Sequence, residues 1–145
     1  MATRPDLAAM MLPLARTLTN AELPVLERFG LTMWGYVVLL HLDDEPVRTQ
    51  AAFAEAIGAD KTRIIEYLDD LQERGLITRV ADPSDRRARL LALTAKGRRL
   101  RDTAQAAIQH NEQRLLQLLP ATERRRFLHT LRRLAEAAPE VYAED

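Results

Sequence analysis

The sequence predicts a mainly α-helical chain that carries one small two-stranded β-hairpin. Three observations point there. Apolar residues recur at spacings of three and four over most of the 145 residues, the period of amphipathic helices. Between residues 76 and 93 the pattern changes. Leu76-Ile77-Thr78-Arg79-Val80 and Arg89-Leu90-Leu91-Ala92-Leu93 have strand composition, and Asp82-Pro83-Ser84-Asp85 between them is turn chemistry. Capping residues and glycines then punctuate the helical runs: Gly30, Thr32, Thr49, Gly58, Asp60, Gly75 and Thr94.

Residues 5–28 read as largely helical, with Leu7, Met11, Leu14 and Leu18 on one stripe. Pro13 and Pro24 interrupt the run, so a kinked helix or two pieces is expected. Gly30 ends it. Thr32 is placed to cap a second helix reaching about Leu42, apolar over most of its circumference and therefore expected to be buried. Asp43-Asp44-Glu45-Pro46 should stop it. Thr49 caps a third, short helix carrying Phe53 and Ile57, and Gly58 turns the chain toward Asp60. Asp60 caps the fourth helix, in which Ile64, Leu68 and Leu71 share the inward face and Gly75 stops the run. After the hairpin, Thr94 opens a long helix to about Leu118, with an incomplete heptad-like seam. Pro120 breaks it, and residues 121–138 form a last helix with Phe127, Leu131, Leu134 and Ala138 on one stripe.

Two short helices joined by about three residues that include Gly make a helix-turn-helix. Placed at about 100° per residue, Thr62, Arg63 and Glu66 lie opposite the apolar face of the Asp60 helix, with Tyr67 on its flank. Asp69, Asp70 and Glu73 extend that outer face and repel phosphate, so only the first two turns suit nucleic acid. Arg86 and Arg87 at the hairpin tip, followed by Arg89, suit a minor groove, where negative potential concentrates. Net charge is zero, but its distribution is uneven. Residues 48–101 hold twelve basic and eight acidic groups, residues 1–47 three and six, and residues 102–145 six and seven. The local excess is what attracts a polyanion.

The segment from Thr49 to Leu100 resembles the winged helix-turn-helix of MarR-type transcriptional regulators. The resemblance is carried by Thr49-Gln50, Gly58, Asp60-Lys61, Leu71, Arg74-Gly75-Leu76, Asp82-Pro83, Asp85-Arg86-Arg87, Leu93-Thr94, Gly97-Arg98 and Leu100, and it runs across roughly residues 5 to 138. It implies a winged helix-turn-helix flanked by N- and C-terminal dimerisation helices. The expected division is residues 1–31 for dimerisation, 32–100 for DNA binding and 101–145 again for dimerisation. The resemblance also implies an Asp–Arg pair shaping the wing. This chain departs from the pattern at Ile65 and Glu66, where small polar or basic residues are common in the family.

The DNA-contact candidates are Thr49, Gln50, Lys61, Thr62, Arg63, Tyr67, Arg86, Arg87 and Arg89. Thr49 and Gln50 begin a helix whose free N–H groups suit phosphate, although capping alone accounts for them equally well. The terminal helices either pack as a lobe of one subunit or pair with a second copy. The resemblance implies a homodimer, and hence a near-palindromic site in double-stranded DNA with half-sites about one helical turn apart. It further implies a cavity for a small aromatic or phenolic effector, with Met11, Met33, Trp34, Tyr36, Val37 and His110 as candidates. An aromatic and Met stripe is also what an ordinary core looks like. The function expected is a homodimeric repressor released by such a ligand; the alternative is a winged-helix protein-interaction module that does not bind DNA.

Other classes fare poorly. With no cysteine, disulfides and thiol redox sensing are excluded. The single serine, Ser84, has no neighbouring histidine to activate it, and no phosphate loop or metal-ligand spacing is present. An enzyme is therefore not expected, nor a cofactor or metal. No stretch approaches the ~18 apolar residues of a membrane span, and the N-terminus lacks a signal pattern, so a soluble cytoplasmic protein is expected.

Overall fold

The structure, a computed structural model, describes residues 1–42 and 48–143. In order the elements are α1 (Leu7–Arg28), α2 (Met33–His41), β1 (Arg48–Thr49), α3 (Gln50–Ala56), α4 (Lys61–Glu73), β2 (Ile77–Asp82), β3 (Asp85–Leu93), α5 (Ala95–Leu116) and α6 (Ala121–Val141). The chain forms two compact units, Met1–Ile108 and Gln109–Asp145. Among the described residues no single helix is long and apolar enough to cross a membrane.

Side-chain caps set the helix starts. Thr32 Oγ1 accepts the Gly35 N–H at 3.0 Å, and Thr49 Oγ1 accepts that of Ala52 at 3.1 Å. Asp60 Oδ1 accepts from Thr62 at 2.7 Å and from Arg63 at 3.4 Å. Each bond satisfies an N–H that has no partner within its helix. Gly30, Gly58 and Gly75 all have φ near +70°, the left-handed conformation that ends a helix and that a side chain resists.

The first unit has one apolar core. Val25 and Leu26 of α1, Val38 and Leu39 of α2, Phe53 of α3, and Ile64, Leu68 and Leu71 of α4 are buried in it. Leu76, Ile77, Leu91 and Leu93 join from the sheet, and Ala104 and Ile108 from α5. Burying a Leu, Ile or Phe side chain contributes about 1.5–3 kcal/mol, so this cluster dominates the stability of the unit. In the second unit, Arg124 donates to the carbonyls of Leu116 and Leu119 at 3.1 and 3.2 Å and so caps the end of α5. No residue of α6 is buried; Phe127, Leu128, Leu131 and Leu134 are all exposed.

Three features bear on expectation, and the last two depart from it. Of the two alternatives expected at Pro13 and Pro24, a kinked helix or two pieces, the structure has a single element, and it meets α2 at 88°. Each proline removes a single backbone donor, and the turns around Pro13 are rich in Leu, Ala and Met, good helix formers. The sheet has a third, two-residue strand. Its order is β1-β3-β2, with Arg48 opposite Leu91 and Thr49 opposite Leu90. The hairpin is also longer than expected. Asp82 pairs with Asp85, leaving only Pro83 and Ser84 as the turn, so Arg86 and Arg87 lie on β3 rather than in a flexible loop, on the strand where Arg89 was expected. The helix stop expected at Asp43-Asp44-Glu45-Pro46 lies outside the described residues.

Candidate nucleic-acid interface

Lys61, Thr62 and Arg63 occupy the first turn of α4 and are exposed. They start there because Asp60 caps the helix. The two backbone N–H groups, that of Thr62 above all, hold the Asp60 carboxyl below its ordinary pKa, and the Arg63 charge adds to the effect. Tyr67 follows one turn later, half-buried. The dipole of α4 adds positive potential at this same end.

The acidic end of α4 is not left bare. Asp69 pairs with the Arg79 guanidinium, and Asp70 lies 3.7 Å from that of Arg74. Arg74 also donates to the carbonyl of Gly30 at 2.8 Å, which ties the α1–α2 turn to the end of α4. The repulsion anticipated from Asp69 and Asp70 is thus offset by cations from outside the helix's own outer face.

On the hairpin, Asp82 Oδ1 accepts the Ser84 N–H at 2.8 Å and Asp85 Oδ1 accepts the Arg87 N–H at 3.0 Å. Both carboxylates fasten the turn, and Asp85 acts on Arg87 through its backbone. Arg86, Arg87 and Arg89 are exposed. Thr49 is engaged as a helix cap, as described above. Gln50, the first residue of α3, is half-buried, and its Oε1 accepts from Arg79 at 3.4 Å.

An open cavity of about 460 Å³ is lined by Trp34, Asp60, Arg63, Ile64, Glu66 and Tyr67, among others. It brings one ligand candidate, Trp34, together with two DNA-contact candidates, Arg63 and Tyr67. The other ligand candidates are distributed differently. Met11 is exposed on α1, Met33 and Val37 are half-buried, and Tyr36 is buried in the core. His110 is exposed in the second unit.

Arg79 is the residue that sequence reasoning missed. It alternates on β2 with the exposed Thr78, in phase with the buried Ile77. A charge at an inward-facing strand position demands a partner, and that phase was the available signal.

A sequence model described as "MarR family" matches residues 29–88, from the end of α1 into β3. A transcriptional regulatory protein assigned to the hcr operon of Thauera aromatica is 31% identical over 120 residues, covering 83% of this chain and 68% of its own. A MarR-family transcriptional regulator from Rhodococcus sp. RHA1 is 31% identical in sequence, superposes with a TM-score of 0.74, and covers 91% of this chain and 96% of its own. The chain belongs to the MarR family.

This MarR protein is accordingly a transcriptional regulator and not an enzyme. Its structure also resembles CouR from Rhodococcus jostii RHA1, solved with p-coumaroyl-CoA bound, at 33% identity and a TM-score of 0.70. That match covers 92% of this chain and 96% of CouR.

Proposed function

We propose that this MarR regulator is a cytoplasmic homodimeric repressor that binds a near-palindromic site in duplex DNA and is released by a small aromatic ligand. Residues 32–100 bind DNA; residues 1–31 and 101–145 join the two copies. The observation that carries the reading is the concentration of exposed cations at one end of α4 and along the tip half of β3, each held in place by a carboxylate. Lys61, Thr62, Arg63 and Tyr67 present to base edges and phosphates, Arg86, Arg87 and Arg89 to the groove beside them, and Thr49 and Gln50 to a phosphate. Dimerisation is supported by the apolar side chains left exposed on α1 and α6, including Leu7, Met10, Met11, Phe127, Leu128 and Leu134.

The ligand reading is supported by the cavity walls. Trp34 and Tyr67 offer aromatic faces, and Arg63 offers a cation for an acidic group. CouR, with its bound aromatic acyl thioester, is in keeping with that chemistry. A ligand releases DNA only through its different affinity for the two states of the dimer, in one of which the recognition helices no longer match the half-site spacing.

Selection of bound sequences from a random duplex pool tests the proposal. An inverted repeat with half-sites about 34 Å apart is expected. Failure of the purified protein to retain any duplex in dilute buffer overturns it.

A further inference from the structure

We infer that Arg79 is a positioning residue for DNA reading, the joint that fixes α3, α4 and the wing strand β2 in a single arrangement. The inference rests on the DNA-binding reading above. One guanidinium reaches three side chains on two other elements. Its Nε donates to Gln72 Oε1 at 2.6 Å, its Nη2 pairs with Asp69, and its Nη1 donates to Gln50 Oε1 at 3.4 Å. The partners lie 7, 10 and 29 positions away in sequence, so the contact is tertiary and not a local accident of the hairpin. Only 18% of the Arg79 side chain is accessible.

Each tethered element bears a different part of the candidate interface. Gln50 opens α3, Asp69 and Gln72 sit on the helix whose first turn carries Lys61 and Arg63, and β2 carries the wing. A planar fork with donors in fixed directions holds three elements more narrowly than a point charge can. Elements already locked together lose less freedom when they dock. Arg79 has little left to offer a phosphate, because each of its three nitrogens already donates to a side chain and the residue is largely covered. It therefore acts on DNA through its neighbours. It also neutralises Asp69, a carboxylate on the outer face of α4.

The decisive variant is Arg79→Lys, which keeps the charge and removes the fork. Two readouts are taken on the full chain: affinity for the duplex recovered by selection, across a salt series, and backbone hydrogen exchange without DNA. Arg79→Lys is expected to weaken binding about tenfold, the equivalent of one charge-assisted hydrogen bond, with the salt slope unchanged. Exchange in the first turn of α3 should quicken, while α2 stays protected. Affinity within twofold of wild type together with unaltered exchange in α3 overturns the inference and leaves Arg79 a mere counter-charge. A salt slope reduced by about one per protomer also overturns it, because Arg79 would then touch a phosphate itself. A wild-type protein that binds no duplex at all defeats the DNA-binding reading instead, and the exchange comparison still decides whether Arg79 tethers α3. Should Arg79→Ala fail to fold, the lysine variant and the double variant Gln50→Ala/Arg79→Lys keep the test intact. If Arg79 works through Gln50, the pair loses less affinity than the two single losses added together.

Discussion

Thr94 donates its hydroxyl proton to the carbonyl oxygen of Gly75 at 2.7 Å. The Thr94 hydroxyl oxygen in turn accepts the Gly97 N–H at 3.0 Å, the Thr94 N–H donates to the Leu76 carbonyl at 3.1 Å, and Lys96 Nζ donates to the Arg74 carbonyl at 2.9 Å. The start of α5 is therefore stitched to the chain where it leaves α4.

That stitching brings two backbones so close that Gly97 has no room for a side chain. A Cβ there would overlap the Leu76 carbonyl oxygen and lie 2.9 Å from Leu93 Cδ1. Gly→Ala inside a helix ordinarily stabilises by up to about 1 kcal/mol. Gly97→Ala is expected to do the reverse and cost roughly 2 kcal/mol or more, because backbone rather than a pliant side chain must move. The urea midpoint of the variant gives the sign directly.

Acid should selectively weaken the cap of α4. The Asp60 carboxyl is held below its ordinary value of 3.8, chiefly by the Thr62 N–H, so its contribution to stability is complete at higher pH. It is lost as pH falls through the depressed value of the folded state. Asp60→Asn keeps an acceptor and removes the charge. The melting temperature of wild type should exceed that of the variant at neutral pH, and the gap should close in strong acid. A gap that stays constant with pH would show that the charge contributes nothing.

Arg87→Ala should reduce both affinity for a selected duplex and the steepness of its salt dependence. Each lost phosphate contact lowers the slope by about 0.9, which for two copies approaches two. Titration by mobility shift at several salt concentrations measures it. Arg87 is the arginine whose backbone is fixed by Asp85, so Asp85→Ala should weaken binding as well and leave the slope closer to wild type.

The naked apolar stripe of α6 predicts the behaviour of Leu131→Glu. Leu131 is 36% exposed, between Leu128 at 46% and Leu134 at 59%, in a helix with nothing buried. On the proposed dimeric reading, a carboxylate there should give a monomer in sedimentation velocity and abolish tight DNA binding. The first unit should keep its fold. A variant that sediments as wild type would move the dimer contact elsewhere.

The sequence made the helix starts legible because caps are local. Thr32, Thr49 and Asp60 each accept from an N–H two or three residues on, a relation that spacing alone reveals. The left-handed glycines at 30, 58 and 75 were legible for the same reason. The strand β1 was not, since two residues carry no period and Thr49 already signalled a helix. The reach of β3 was hidden by its own turn residues: Asp82 and Asp85 read as loop, yet they pair across a two-residue tip. Trp34 and Tyr36 show the limit for the cavity. They stand two positions apart on one apolar helix, and one lines an open wall while the other is 5% exposed in the core. Composition does not separate those fates. The partners of Arg79 were beyond reach because the fold, not proximity in sequence, brings them together.

The charges of α4 sort themselves by end, with Lys61 and Arg63 at its start and Asp69, Asp70 and Glu73 toward its finish. Such a rod has a nose and a tail. With Asp69 and Asp70 balanced by Arg79 and Arg74, the tail is close to neutral and only the nose draws a polyanion, so nose-first approach is favoured before any base is touched. Direction is thereby settled at long range, leaving the short-range contacts free to choose among sequences.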